Sequence, residues 1–503
     1  MDFLGEKWIT PFVKQSFVTC GVSINMAAAG LVMGFTTGLL EQLGASDSPI
    51  PVDDASGSWI AAIPGFSLVV GNFIVPSVMA RYGRKTANLI SIVPLIIGWI
   101  GIVLANSITA LFIARFLQGL CMGMATSLGS TLIGEYASPR NRGVFLMTIS
   151  ISIAFGVLCV HAMGSYLDWK TSAIVCGSVA LIDLVIVIFS PESPSWLADQ
   201  GKYDECKKVF RWLRGNKEEQ ELKNLIEASI VVRESKAEAN VRRTLLKKIK
   251  SNVVYFKTTI TKKEFFKPIF IMIHIYMIGQ WSGVNILVTY SIVIFNRVVG
   301  PDCNIPLMIM ALDGHRIIAN IFAIYIIKKA KRRTMLFTTV GINVLALLGL
   351  AAYTYAKENR LFSTDYPIIG ILLIHLLMFA VATGTISLCF IIAGEIFPLE
   401  YRSLAGGLSV LFYSANLFLN VKTIPYLLNN IGVHGTCCLY CVVILYCLLI
   451  AWWFLPETKD RTLQDIEDEF RGRPMTMEEL KSAQSLASWK AYNTDRRCST
   501  PVV

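Results

Sequence analysis

Glu135-Tyr136-Ala137-Ser138-Pro139-Arg140-Asn141-Arg142 returns 260 positions later as Glu395-Ile396-Phe397-Pro398-Leu399-Glu400-Tyr401-Arg402. In each copy an acid and an arginine stand seven apart across a proline, directly after an apolar run of membrane-crossing length. Two more signals recur in the same order. Gly83-Arg84-Lys85 is matched by Lys331-Arg332-Arg333, 248 positions on, and Pro191-Glu192-Ser193 by Pro456-Glu457-Thr458, 265 on. A single basic loop needs no more than the positive-inside rule. Three ordered pairs at nearly constant offset imply two homologous halves. Such halves predict a solute site near the membrane midplane between them, reached alternately from either side as the halves rock.

The rest of the sequence agrees. Of 503 residues, 54% are hydrophobic and 16% charged, with mean hydropathy +0.56, whereas a soluble chain carries about 25% charged residues. The apolar residues fall in blocks of about twenty, enough to cross a ~30 Å hydrocarbon layer as a helix. Twelve spans are expected, at 16–40, 58–80, 87–106, 109–133, 143–167, 171–190, 268–296, 305–327, 334–355, 367–392, 403–427 and 434–455. Helices are preferred over strands because the runs lack two-residue alternation. The expected fold class is an all-α membrane protein of two six-helix bundles. Residues 1–190 form the first bundle, 191–267 a linker, 268–455 the second bundle and 456–503 a tail.

These features exclude a soluble enzyme, a nucleic-acid factor and a secreted disulfide scaffold. The net charge of +11 is not a nucleic-acid signature. From Pro191 to Lys267 there are 18 Lys and Arg against 11 Asp and Glu, in one interior segment beside membrane spans. The connections on that side are basic and those on the other nearly free of Lys and Arg, so both termini and the linker are expected in the cytoplasm. The 12 cysteines show no paired spacing, and no metal motif, cofactor motif or nucleophile–base set stands out. No signal peptide is expected. Residues 197–250 read as amphipathic helices lying on the membrane surface with Lys and Arg toward headgroups. The tail reads as disordered beyond an amphipathic turn at Leu463–Phe470.

Here the sequence resembles the sugar porter branch of the major facilitator superfamily. The residues that carry the likeness are Arg115-Phe116…Gly119…Gly123, Glu135…Pro139…Arg142-Gly143, Pro191-Glu192-Ser193-Pro194-Ser195-Trp196-Leu197, Gln280-x-Ser282-Gly283-x-Asn285, Glu395…Pro398…Arg402 and Pro456-Glu457-Thr458-Lys459…Arg461-Thr462-Leu463. They cover essentially the whole chain. Ser58-Trp59, the Phe116–Gly119 segment and Lys422 are most similar to the insect facilitated trehalose transporter group. The resemblance implies a major facilitator fold and a non-enzymatic carrier of a sugar or polyol, multi-pass in the plasma membrane and without cofactor. Gln280, Ser282, Asn285, Tyr290, Arg316, Phe390 and Tyr413 are then the substrate-site candidates. Arg84, Glu135, Arg142, Glu192, Arg332, Glu395, Arg402 and Glu457 are the candidate cytoplasmic gate. Amides suit hydroxyls because they both donate and accept, and Gly283 permits a bend or a close approach.

Some positions depart from the family pattern. Gly279 stands where the family has a first glutamine, Phe390 where it has tryptophan, Ser150 where it has a span-five glutamine, and Tyr413 where it has an asparagine. Ala80 and Lys328 replace the leading acids of two basic loops, and Lys331 a glycine. Arg316 replaces a sugar-binding asparagine. It lies ~18 Å from the cytoplasmic end of its span, where a charge facing lipid costs about 2.5–3.5 kcal/mol. Three readings stay open: a neutralised Asp313–Arg316 pair, a cation in the substrate pocket, or a span offset that puts both at the outer surface. Asp183, His161, His274 and His375 could each face the cavity, though a lone histidine is more often satisfied by a neighbouring helix, and Lys422 is read as snorkelling outward. Thr36 stands where proton-coupled relatives carry an acid, which favours facilitated diffusion. The alternatives are a carrier of small organic ions and a non-transporting nutrient sensor.

Overall fold

In lipid every backbone polar group must be satisfied within the protein, so apolar runs of this length become helices. The structure is a computed structural model that describes residues 10–46, 48–240, 262–300, 303–361, 366–397, 402–459, 461 and 463–472. The first half contains α1 (Pro11–Leu43), α2 (Asp54–Tyr82), α3 (Arg84–Val103), α4 (Ile108–Tyr136), α5 (Pro139–Tyr166) and α6 (Trp169–Phe189). The linker contains α7 (Pro194–Asp199), α8 (Tyr203–Arg214) and α9 (Glu219–Asn240). The second half begins with α10 (Lys263–Trp281), α11 (Val284–Thr289) and α12 (Ser291–Val298). It continues with α13 (Ile305–Lys329), α14 (Arg332–Glu358), α15 (Pro367–Ala380), α16 (Ile386–Ile396), α17 (Arg402–Asn430) and α18 (Gly432–Phe454), and α19 (Leu463–Arg471) follows.

Among the described residues, eleven helices are long and apolar enough to cross a membrane, α15 and α16 counting as one through the π-turn Val381–Thr385. They match eleven expected spans to within a few residues. The remaining span, expected as one helix over 268–296, is in three pieces. Gly283 sits in the left-handed region at φ +93°, where a side chain would be strained, and Tyr290 breaks the helix again at φ −129°, ψ 30°. Helix ends leave backbone carbonyls for other partners. Asn343 Nδ2 donates to Ser282 O at 3.0 Å, and Thr37 Oγ1 to Val288 O at 2.8 Å.

Small residues let helices of the first half approach closely. A Cβ on Gly119 would lie 2.1 Å from Ser67 Oγ and 2.3 Å from Pro64 O of α2. The backbone carbonyl cannot yield without moving a helix, so Gly119→Leu is expected to abolish folded protein, measured as the monodisperse fraction in detergent. A wild-type yield would refute this packing. At Gly134 an added Cβ would meet no atom within 4 Å, so the same substitution there is the control.

Helix α8 of the linker is amphipathic, as the sequence suggested. The apolar face of α8 is used on protein: Cys206 and Phe210 pack with Leu197 and Leu222, and Leu213 packs against the first half. Arg214, whose role the sequence did not reveal, donates to Glu135 O at 3.1 Å and Ala137 O at 2.9 Å and pairs with Glu218 and Glu221. Residues 241–250 of the expected amphipathic stretch, and 473–503 of the expected disordered tail, lie outside the described residues. Helix α19 buries Ile466 and Phe470, and its Phe470 carbonyl accepts from Lys267 Nζ at 3.3 Å.

Candidate functional site

The break after α10 sets two amides side by side. Asn285 Nδ2 approaches Gln280 Oε1 at 2.8 Å, Gln280 O at 3.0 Å and Asn420 Oδ1 of α17 at 3.0 Å. An amide nitrogen has two hydrogens, so three acceptors compete for the two on Asn285. Asn420 in turn donates to Tyr440 Oη at 2.9 Å. Asn420 was not among the expected residues; its signal was an amide inside an otherwise apolar run, seven positions after Tyr413.

The other expected substrate residues divide. Ser282 is fully buried and its hydroxyl donates to Gly279 O at 2.7 Å, so it serves the helix break. The Tyr290 hydroxyl is buried without a hydrogen-bond partner among the described residues. Phe390 and Tyr413 meet with ring centroids 5.4 Å apart, and both border Tyr276, a third ring that the sequence did not single out. Phe390 is 53% exposed, so a ring face is available to a solute. The Tyr413 hydroxyl lies near the Gln280 amide and within electrostatic range of Arg316.

Asp313 does not pair with Arg316. Its Oδ2 lies 2.6 Å from Nδ1 of His161 on α5, and His161 Nε2 lies 3.0 Å from Val288 O. His161 is therefore satisfied by helices of the other half rather than by a neighbour within its own. Arg316 Nη1 is buried with no hydrogen-bond partner among the described residues. His315 and His375 face one another at 3.2 Å, and His274 Nδ1 faces its own helix at Phe270 O, 2.8 Å away.

Every hydrogen bond described between the halves lies on the side away from the linker. Besides the His161, Thr37 and Asp313 contacts, Lys422 Nζ donates to Ser58 Oγ at 2.6 Å while 4.3 Å from the centre of the Trp59 ring, and Asn429 meets Asp54 at 2.9 Å. Lys422 thus bridges the halves.

On the linker face the repeated spacing of the two motif sets produces two matching lattices, each inside one half. Arg84 pairs with Glu135 at 2.7 Å, Glu192 accepts from the Arg84 backbone at 2.8 Å, and Ser193 donates to Glu135. In the second half Arg332 pairs with Glu395 at 3.1 Å, Glu457 accepts from the Arg332 backbone at 2.8 Å, and Thr458 donates to Glu395 at 2.6 Å. Burial pushes the Glu457 carboxyl up, but the backbone N–H groups of Lys459, Arg332, Arg333 and Thr458 outweigh it and hold it below the usual carboxylate range. Arg142 stands in the first turn of α5, and the Arg402 side chain lies outside the described residues. The expected contact of these charges across the two halves is not among the described contacts. The molecule is joined on the face away from the linker.

Within the first half, Arg115 of α4 is buried among neutral acceptors: Thr36 Oγ1 at 2.5 Å, Gln118 Oε1 at 2.9 Å and Val32 O at 3.0 Å.

Comparison with known proteins agrees with this architecture. The chain is 25% identical over 95% of its length to the facilitated trehalose transporter Tret1 of Culex quinquefasciatus, covering 90% of that protein. It is likewise 25% identical to those of Bombyx mori, over 90% of the chain and 86% of the relative, and Polypedilum vanderplanki, over 94% and 91%. Of the Aedes aegypti relative it spans 57%. Among solved structures, the inward open conformation of the Escherichia coli xylose transporter XylE superposes with a TM-score of 0.70 at 18% identity, covering 90% of this chain and 99% of that one. The XylE proton:xylose symporter bound to 6-bromo-6-deoxy-D-glucose gives 0.69 at 18% identity, over 92% and 100%. The fold is that of the major facilitator superfamily, and since the model of the family described as "Sugar (and other) transporter" matches residues 14–470, the chain belongs to that family of membrane carriers and is not an enzyme.

Proposed function

We propose that the protein is a uniporter of a sugar or related polyol, with trehalose and hexoses the first candidates, working by alternating access in the plasma membrane. The linker and both chain ends are cytoplasmic on this reading, because the basic connections share their face. The observation that carries it is the helix break at Gly283, which presents the Gln280–Asn285–Asn420 amides beside the Tyr276–Phe390–Tyr413 rings. Amides suit hydroxyls and ring faces suit the apolar faces of a sugar. The described joins lie on the face away from the linker, which corresponds to a solute path open to the cytoplasm. When that path closes, the two charge lattices approach one another, and Arg142 and Arg402 serve as the gate between them. Uncoupled transport is supported by Arg115 and Thr36, a hydrogen-bonded pair without an acid where a coupled carrier needs a titratable group.

Counterflow in proteoliposomes tests this. Exchange of trehalose or glucose that equilibrates without concentrating, and is unaffected by a protonophore, is expected. Concentrative uptake that collapses with the protonophore would overturn the uniport reading, and absence of any exchange would leave a sensor.

A further inference from the structure

Arginine keeps its charge at any accessible pH, so Arg316 places a cation ~18 Å from the linker-face end of α13. Its helix has two distinct faces. Ile318 and Tyr325 are 66% and 58% exposed and form a lipid-side stripe, while Leu312, Ala319 and Ala323 are 1–2% exposed. Arg316 follows Leu312 by four residues and precedes Ala319 by three and Ala323 by seven, which sets it on the protein-facing stripe.

The nearest carboxylate is already committed. Val288 O can only accept, and it receives both Thr37 Oγ1 and His161 Nε2, so Nε2 carries a hydrogen. The 2.6 Å contact of His161 Nδ1 with Asp313 then holds one more proton, on either partner. Imidazolium with carboxylate and imidazole with carboxylic acid are both neutral overall. Asp313 and His161 together therefore leave the Arg316 charge uncompensated. Of the other titratable groups nearby, His315 is turned to His375, and Tyr413 is a neutral phenol facing Gln280 and Arg316. No carboxylate among the described residues is within ion-pair distance of Arg316, and its Nη1 is buried without a partner.

We propose that Arg316 makes the central site select a polyol that carries one compact oxyanion, a carboxylate or a phosphate. The guanidinium would take the oxyanion through paired N–H donors, while the Gln280–Asn285–Asn420 amides exchange hydrogen bonds with the hydroxyls. This deepens the carrier reading and rests on it for the location of the solute.

The test uses the purified full-length chain in detergent, with ligand affinity read from thermal stabilisation and counterflow read in parallel. Glucose, glucuronate and glucose 6-phosphate are the probes. Glucuronate or glucose 6-phosphate is expected to bind roughly 10- to 100-fold more tightly than glucose, the range of a charge-assisted hydrogen-bonded pair, and the ratio between the two anions tells carboxylate from phosphate. Arg316→Gln should reduce that preference to within about threefold. Arg316→Lys, which keeps the charge and loses the fork, should retain part of it and serves if the glutamine variant does not fold. Equal affinities for glucose and both anions in the wild type, or an anion preference that survives Arg316→Gln, would overturn the proposal. Anion binding without exchange of any probe would sustain it and sink the carrier reading; glucose exchange without anion preference would do the reverse.

Discussion

Replacing His161 by leucine is expected to open the face away from the linker. In the present arrangement His161 ties α5 to both Asp313 of α13 and the Val288 carbonyl of α11, and the pair is 4% and 1% exposed. Taking one partner from a buried pair strands the other, at a cost of about 3–5 kcal/mol. That cost falls on the joined state and not on one in which the halves have separated and water reaches Asp313. The balance should therefore move by roughly 100-fold or more toward separation, since about 1.4 kcal/mol is tenfold. Asp313→Asn should be far milder, because an asparagine Nδ2 can donate to His161 Nδ1 while Nε2 still donates to Val288 O. Hydrogen–deuterium exchange of the α1 segment around Thr37 and of α11 reads the difference: faster in His161→Leu, near wild type in Asp313→Asn. Unchanged protection in the leucine variant would show that the contact does not hold the halves together.

This contact also shows what was legible in the sequence. Apolar block length gave the helices, and the recurring Glu–Arg and Pro–Glu signals gave the two halves, because both are local or periodic. The structure forms the pairs Arg84–Glu135 and Arg332–Glu395, whose members were expected only as parts of one lattice that the resemblance implies. Their assignment across the halves did not follow, since spacing along the chain cannot say in which conformation two bundles meet. Asp313 and Arg316 looked like a pair because three residues is a helical neighbour distance. The winning partner is 152 positions away. Asn420 and Tyr276 were missed for the same reason: their meaning arises only when α17 and α10 pack. Gly283 was readable, because a glycine between polar residues in an apolar span has few other uses, and the break it permits is what assembles the site.

The second large effect is expected at the amide node, where Gln280→Ala should cut sugar exchange about 100-fold or more. Asn285 has two hydrogens for three acceptors, and Gln280 supplies two of those acceptors. A solute hydroxyl can both donate to and accept from these amides, so the site is matched to a polyol. Sites built around hydrogen bonding to a hydroxyl discriminate steeply when one partner is lost, because the remaining buried polar atoms go unpaired. Without the Gln280 side chain, the Asn285 hydrogens are fully taken by Asn420 Oδ1 and Gln280 O, and nothing is left that calls for a sugar. Folding should suffer little, since that rearranged pair is complete in itself. Asn420→Ala acts one step back: Gln280 and Asn285 still meet, but the Tyr440 hydroxyl loses its donor, and about tenfold loss of exchange is expected. Counterflow normalised to the folded fraction ranks the two variants. If Gln280→Ala exchanged within twofold of wild type while Asn420→Ala did not, the solute would be held from α17 and the break at Gly283 would serve the hinge alone.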